Sequence, residues 1–446
     1  MARTATTTAE FPTGQVTAGE ILRLAVPALG ALIAEPLFLL ADTAIISRLG
    51  TAPLAGLGTA AAALATLVNV CVFLAYGTTA TVARRLGAGD TAGALNSGIA
   101  GVALAAGLGV TLALVGLGAA EPIVRWLGVP PASIGYAGTY LRISSLGLPC
   151  MLIVLAGTGV LRGLADTRTP LLIAGWGAVA NAALNYLLVY PAGMGIAGSA
   201  LGTVLTQTAM AAAYLRIIHT AARARGVRPL PRLEEVRHGL GANAALLIRT
   251  VALRAYLLVG VWVAGRLGTT ALGAHTVGSN VWNLLAMALD ALAIAAQALV
   301  GHALGAGRPD RARQLLSRLT RWGVGYGLVT GGLLLAVSPF ALSLMTPDAH
   351  VRAALVPVVL IMALFQPVAG AVFVLDGVLI GAGDSRYLAW AGLACTAVFV
   401  GAALPVALAP LTLTYLWWAV GALMLARLFA LGVRAKGAKW IEAGPG

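Results

Sequence analysis

Two carboxylates stand seven residues apart in an otherwise apolar stretch, Glu35 and Asp42. Seven residues is close to two turns of helix, so both fall on one face. Inside a bilayer an ionisable side chain costs about 2.5–3.5 kcal/mol on insertion scales, which makes each a functional candidate. A carboxylate removed from water takes the protonation state its neighbours dictate, and a proton-coupled carrier needs that property of Asp42. The competing reading is a structural carboxylate bonded to a neighbouring helix. Pro27 and Pro36 interrupt the same stretch and offer places for it to bend.

Other polar residues recur at helical spacing. Asn181 and Asn185 are one turn apart, as are Thr203 and Gln207, and Tyr140 opens another apolar run. Singly, each reads as an interhelical hydrogen bond; together with Asp42 they read as the lining of one pocket. Further on, Asn283, Asp290 and Gln297 recur every seven residues and make one polar stripe. Asp376 lies in a later run, and Arg249 and Arg254 are cations able to pair with these acids. This second set, with Trp282 beside it and Gln207 grouped with it as a substrate contact, reads equally as a substrate site and as an internal brace. Trp176, Trp262 and Trp390 read as packing or an interfacial belt.

The elements that must position these groups follow from composition. Of 446 residues, 59% are hydrophobic and only 10% charged, against about 25% charged in soluble domains. Twelve apolar stretches are long enough to cross a membrane: 20–48, 53–82, 92–119, 135–161, 170–191, 196–219, 241–265, 270–302, 314–337, 352–380, 387–409 and 411–433. They are continuous rather than alternating, so helices are expected. The expected class is therefore an all-α integral membrane protein of twelve transmembrane helices.

An internal repeat divides them. At a constant offset of 218 residues, Arg48-Leu49-Gly50-Thr51 recurs as Arg266-Leu267-Gly268-Thr269, and Leu86-Gly87-Ala88-Gly89 as Leu304-Gly305-Ala306-Gly307. Gly159-Val160-Leu161 recurs as Gly377-Val378-Leu379, and Asp166-Thr167-Arg168 as Asp384-Ser385-Arg386. Each copy holds six spans, an even number, so the copies form a parallel repeat of two six-helix bundles. The expected division is a tail 1–17, an N-lobe 18–219, an Arg-rich linker 220–240 with Pro229 and Pro231, a C-lobe 241–433 and a tail 434–446.

The net charge of +14 does not point to nucleic acid. Most arginines outside the spans fall in alternate loops, among them Arg84, Arg85, Arg223, Arg225, Arg232, Arg308 and Arg311. The opposite loops hold only Arg48, Arg125, Arg266 and Arg352. By the positive-inside rule both termini are expected in the cytoplasm and the protein in the inner (cytoplasmic) membrane. Cys71, Cys150 and Cys395 fall inside spans without metal spacing and read as small hydrophobes. No P-loop or nucleophile elbow is present. The single G-x-G-x-x-G, at Gly193, Gly195 and Gly198, sits between two spans and reads as a tight turn. The expectation is a non-enzyme without cofactor or bound metal, a monomer whose partners are the bilayer and a small molecule, driven by an ion or substrate gradient.

The segment from Glu35-Pro36-Leu37-Phe38 through Asp42-Thr43-Ala44 to Arg48-Leu49-Gly50 resembles the first helix of MATE (multidrug and toxic compound extrusion) transporters of the DinF branch. Ala274-His275-Thr276 through Trp282 and Asp290 to Gln297-Ala298-Leu299 is similar to that branch's eighth helix, Asp376-Gly377 with Gly381 to its tenth, and Arg249-Thr250 to its seventh. The resemblance implies two six-helix lobes, alternating access, and export driven by H⁺ or Na⁺. It also implies a cation-coupling cluster with Pro27 as the bend, Asp42 as the titrating acid, and Tyr140, Asn181 and Thr203 as partners. Relatives often carry a second Asp where this chain has Asn185. That loss weakens a Na⁺ site at Asp42 and Asn181, because a hard cation prefers charged oxygens, and leaves Asp42, helped by Glu35, as the central acid. The expected function is export of amphipathic, cationic small molecules in exchange for H⁺ rather than Na⁺. The alternative is a flippase for lipid-linked precursors or a metabolite exporter of the same superfamily.

Overall fold

A computed structural model describes residues 17–443 except 229, 232, 347 and 410. The expected tail 1–17, save Thr17, lies outside the described residues, as do Pro229 and Arg232 of the expected linker and the end of the C-terminal tail. Every regular element among the described residues is a helix. This is what apolar runs must form where lipid offers the backbone no partners. The residues fall into two compact units, Val26–Leu240 and, with residues 17–25, 241–443.

The first unit holds most of α1 (Ala18–Ser47), then α2 (Thr51–Val70), α3 (Phe73–Gly87), α4 (Thr91–Trp126), α5 (Pro131–Ser145), α6 (Leu148–Gly163), α7 (Arg168–Val189) and α8 (Ile196–Arg223). The second holds most of α9 (Leu233–Arg266), then α10 (Thr269–Gly305), α11 (Pro309–Met345), α12 (Ala349–Gly381), α13 (Ser385–Leu408), α14 (Leu413–Lys436) and the short α15 (Lys439–Glu442). Ten helices are long and apolar enough to cross a membrane, or eleven if the bent pair α5–α6 is one span, where twelve are expected. The ninth expected span lies on α11, which is helical over 37 residues.

Two expected spans are broken. The fourth bends by 52° between α5 and α6, at Leu146-Gly147. The second gives way at Cys71-Val72 between α2 and α3. Both breaks are in the first unit. Their repeat partners, Leu364-Phe365 and Leu289-Asp290, lie inside unbroken α12 and α10. Proline alone does not decide this, since Pro149 follows one break while its partner Pro367 sits within continuous α12.

The repeat is carried by backbone conformation at the turns. Gly50 and its partner Gly268 have φ of 115° and 108°, and Gly89 and Gly307 have 79° and 66°. Only glycine adopts such values freely, so the repeated glycines mark turns that the two units share. The expected tight turn at Gly193 and Gly195 also has positive φ, 67° and 55°.

Packing within each unit rests on small residues. Gly323, Gly327 and Gly331 recur every turn on α11 and press on α12. Cβ atoms added there would lie 2.4 Å from the Gly370 carbonyl oxygen, 2.3 Å from that of Gln366 and 2.7 Å from that of Ala363. Such a stripe lets helix backbones approach where no hydrophobic effect drives them together. The first turns of α9 belong to the first unit, where Glu235 accepts from Arg85 at 2.8 Å and from Ser97 at 3.3 Å.

Candidate cation-coupling site

The site in the first unit is built by four helices. Asp42 comes from α1, five residues before its end, and is only 2% exposed. Tyr140 on α5 donates its hydroxyl to Asp42 Oδ2 at 3.3 Å. Ser199, near the start of α8, donates to Oδ1 at 2.8 Å. Asn185 on α7 donates its amide to the same Oδ1. A hydrogen bond to a charged group contributes about 1.5–3 kcal/mol, so this set holds a buried carboxylate without an ion pair among the described residues.

A second row supports the first. Asn185 donates to Asn181 Oδ1 at 3.1 Å, and Asn181 donates to Thr203 Oγ1 at 3.1 Å. Both asparagines are fully buried. Gly202 on α8 makes room for them, since a Cβ there would fall 2.0 Å from Asn185 Oδ1. Tyr190 ties the end of α1 down by donating to the Ile45 carbonyl at 2.6 Å. The structure thus gathers Asp42, Tyr140, Asn181, Asn185 and Thr203. It adds Ser199, whose only sequence signal is its spacing of four from Thr203. Among the described residues no three His, Cys, Asp or Glu side chains are grouped to hold a metal ion.

The rest of the expected set is dispersed. Glu35 is on α1 but exposed, unlike Asp42. Pro27 and Pro36 lie within α1, whose residues pass from the second unit to the first between Ala25 and Val26. Gln207 sits on α8 one turn past Thr203, and its Oε1 is buried without a hydrogen-bond partner among the described residues.

In the second unit Asp376 of α12 is clamped by two guanidinium groups. Arg249 of α9 donates Nε to Oδ1 at 3.3 Å and Nη2 to Oδ2, and Arg427 of α14 donates to Oδ2 at 2.5 Å. All three are less than a tenth exposed. Arg427, absent from the expected network, is the residue that completes it. The stripe Asn283, Asp290, Gln297 runs from exposed through half-buried to buried along α10. Trp282 is buried against Trp417, with ring centroids 6.4 Å apart.

Comparison with known proteins places this architecture. The family model MatE matches residues 27–187 and again 246–405. The chain is 31% identical over 387 residues to "Multidrug resistance protein NorM" of Burkholderia vietnamiensis, covering 82% of this chain and 81% of that one. It is 28% identical over 366 residues to "DNA damage-inducible protein F" of Escherichia coli, covering 80% and 79%. A solved structure described as MATE in the bent conformation superposes with a TM-score of 0.85 at 21% identity, covering 95% of this chain and 97% of that chain.

Proposed function

For a chain that belongs to the MATE family, whose members are multi-pass membrane transporters and not enzymes, we propose secondary active export of small amphipathic molecules in exchange for protons taken up at Asp42. The observation that carries this reading is the contrast between two buried acids. Asp376 has two arginines against it, so protonating it would withdraw the carboxylate charge that pairs with both cations. Asp42 is held by a hydroxyl from α5, a hydroxyl from α8 and an amide from α7, all neutral. Taking up a proton there changes the charge of the site and rearranges three hydrogen bonds on three helices.

Protonation thereby acts on the packing of α1, and we place the bend of that helix at Pro27, a proline in its interior. Proton rather than Na⁺ coupling is favoured because Asn185 turns its N–H, not a lone pair, toward Asp42. Multidrug export is supported by the name of the NorM relative. Location in the cytoplasmic membrane with both termini inside is supported by the arginine distribution, and we take the functional unit to be a monomer.

The test is transport in proteoliposomes with pH and Na⁺ gradients imposed separately. A pH gradient is expected to drive export, and Asp42→Asn is expected to abolish it while the protein stays folded. Full-rate export by the variant, or export driven by Na⁺ alone, would sink the proposal.

A further inference from the structure

Both units carry the same arginine, and only one of the two is neutralised. At the offset of 218, Arg216 of α8 corresponds to Arg434 of α14, and Asp166 to Asp384. In the second unit this pair is closed. Arg434 donates Nε to Asp384 Oδ2 at 2.5 Å and Nη2 to Oδ1 at 3.1 Å, and its guanidinium lies 4.8 Å from the centroid of the Tyr387 ring. In the first unit it is open. Asp166 turns instead to the start of α7, accepting from the Arg168 and Thr169 amides at 3.1 and 3.0 Å and from the Thr169 hydroxyl at 2.5 Å. Arg216 has neither a hydrogen bond nor an ion pair among the described residues.

Arg216 stands at the edge of a groove between α4 and α8. Ile99, Val102, Leu215, Ile218 and His219 line it with Arg216, and water-sized molecules fit within about 300 Å³ of it. Ile99, Val102 and Ile218 are buried, while Leu215 and Arg216 are exposed, so an apolar floor opens at its rim. His219 is three residues from Arg216 and shares its face of the helix. It too has no hydrogen bond or ion pair among the described residues. No acid lines the groove among the described residues. Ser97, which meets Glu235, lies two residues from Ile99 and so about 200° round α4 from it.

The depth of these groups follows from the sequence of α8. From Ile196 to Leu215 it runs 20 residues without a charged side chain, and Arg216 is the first. Twenty residues of helix rise about 30 Å, the thickness of the hydrocarbon core. Arg216 and His219 therefore reach the level of the lipid headgroups, and the apolar floor lies beside the acyl chains. Arg223, Arg225 and Arg228 follow, so this is the arginine-rich side.

We infer that this groove holds an anionic phospholipid of the leaflet on the arginine-rich side, its phosphate against Arg216 and His219 and an acyl chain along Ile99, Val102 and Ile218. The guanidinium presents a fork of donors that matches a phosphate, and basic pockets between transmembrane helices hold acidic headgroups. The lipid brings from outside the negative charge that Asp384 supplies within the second unit. A zwitterionic headgroup sets its own ammonium beside Arg216 and loses that advantage. A water-soluble phosphate leaves the apolar floor uncovered. The inference stands apart from proton coupling at Asp42.

Native mass spectrometry of the full protein in detergent, titrated with dioleoylphosphatidylglycerol or dioleoylphosphatidylcholine, reads the first bound lipid. Phosphatidylglycerol is expected to bind about tenfold tighter than phosphatidylcholine. Arg216→Gln is expected to remove that preference, and His219→Gln to reduce it. Arg321→Gln, which removes an exposed arginine of the second unit, is expected to leave it intact. Arg216→Gln breaks no hydrogen bond among the described residues, and a melting temperature without added lipid checks that each variant is folded. If Arg216→Gln is not, His219→Gln carries the comparison. Equal affinity for the two lipids, full preference in folded Arg216→Gln, the same loss in Arg321→Gln, or glycerol 3-phosphate bound as tightly as phosphatidylglycerol would each overturn the inference.

Discussion

Asn185 donates its side-chain amide to Asp42 Oδ1, from α7 to α1, and keeps its own oxygen packed against the backbone of α8 at Gly202. An aspartate at position 185 would bring two carboxylates within hydrogen-bonding distance, and two such groups cannot both ionise without a cation between them. Asn185→Asp is therefore expected to make the first unit responsive to Na⁺. The measurement is export in proteoliposomes under a Na⁺ gradient at constant pH. An Asn185→Asp protein still driven only by protons would count against the assignment of Asn185 as the residue that sets ion preference.

The triad in the second unit is expected to act on stability. Asp376→Asn leaves Arg249 and Arg427 buried together with no carboxylate between them. Removing one partner of a buried ion pair typically costs about 3–5 kcal/mol. Arg427→Met leaves one acid and one base and is expected to be the milder change. Thermal melts of the two purified variants check the order, and equal melting temperatures would remove the triad's structural role.

Gly327 and Gly325 differ by two positions on α11 and are expected to behave oppositely. A Cβ at Gly327 meets the Gln366 carbonyl and the Pro367 backbone, whereas one at Gly325 meets nothing within 4 Å. Gly327→Ala forces α11 and α12 apart and should destabilise by about 1–3 kcal/mol. Gly325→Ala should be neutral or slightly stabilising through helix propensity. Expression and melting temperature of the pair report the contrast.

Ala165 has φ of 61°, and its repeat partner Gly383 has 78°. The same turn is thus made once with glycine and once with alanine. Left-handed backbone costs a residue with a Cβ about 1–2 kcal/mol, so Ala165→Gly is expected to stabilise the first unit by up to about 1 kcal/mol, the gain being reduced by the added freedom of glycine in the unfolded chain. A melting temperature no higher than that of the parent protein would contradict this.

Several features were legible because they are local. Glycine at Gly50 and Gly268 signals a turn that only a residue without Cβ adopts easily, so the repeat shows in the letters. The helical character of α1, α7 and α10 follows from unbroken apolar runs. The breaks at Cys71-Val72 and Leu146-Gly147 were not legible: Gly147 stands where α12 has Phe365, but glycines such as Gly323, Gly327 and Gly331 sit within continuous α11, and Cys71-Val72 holds no helix-breaking residue. The convergence of Tyr140, Asn181 and Thr203 on Asp42 was expected chiefly from family resemblance, since spacing rules reach only three or four residues along one helix.

By itself, then, the sequence determined that the chain lives in lipid, that it is one multi-helix unit written twice, and that Asp42 and Asp376 are acids within apolar runs and in need of an explanation. Composition and periodicity suffice for that, because the bilayer imposes helices on any long apolar run. The tertiary structure decided what those acids meet. Ser199 reaches Asp42 from 157 residues away, and Arg427 reaches Asp376 from 51. Neutral donors surround one acid and paired guanidiniums the other. The same packing closed Arg434 on Asp384 and left its repeat partner Arg216 without an acid among the described residues. Which side chains meet across helices depends on how ridges of small residues let the backbones approach, and no spacing along a single helix contains that information.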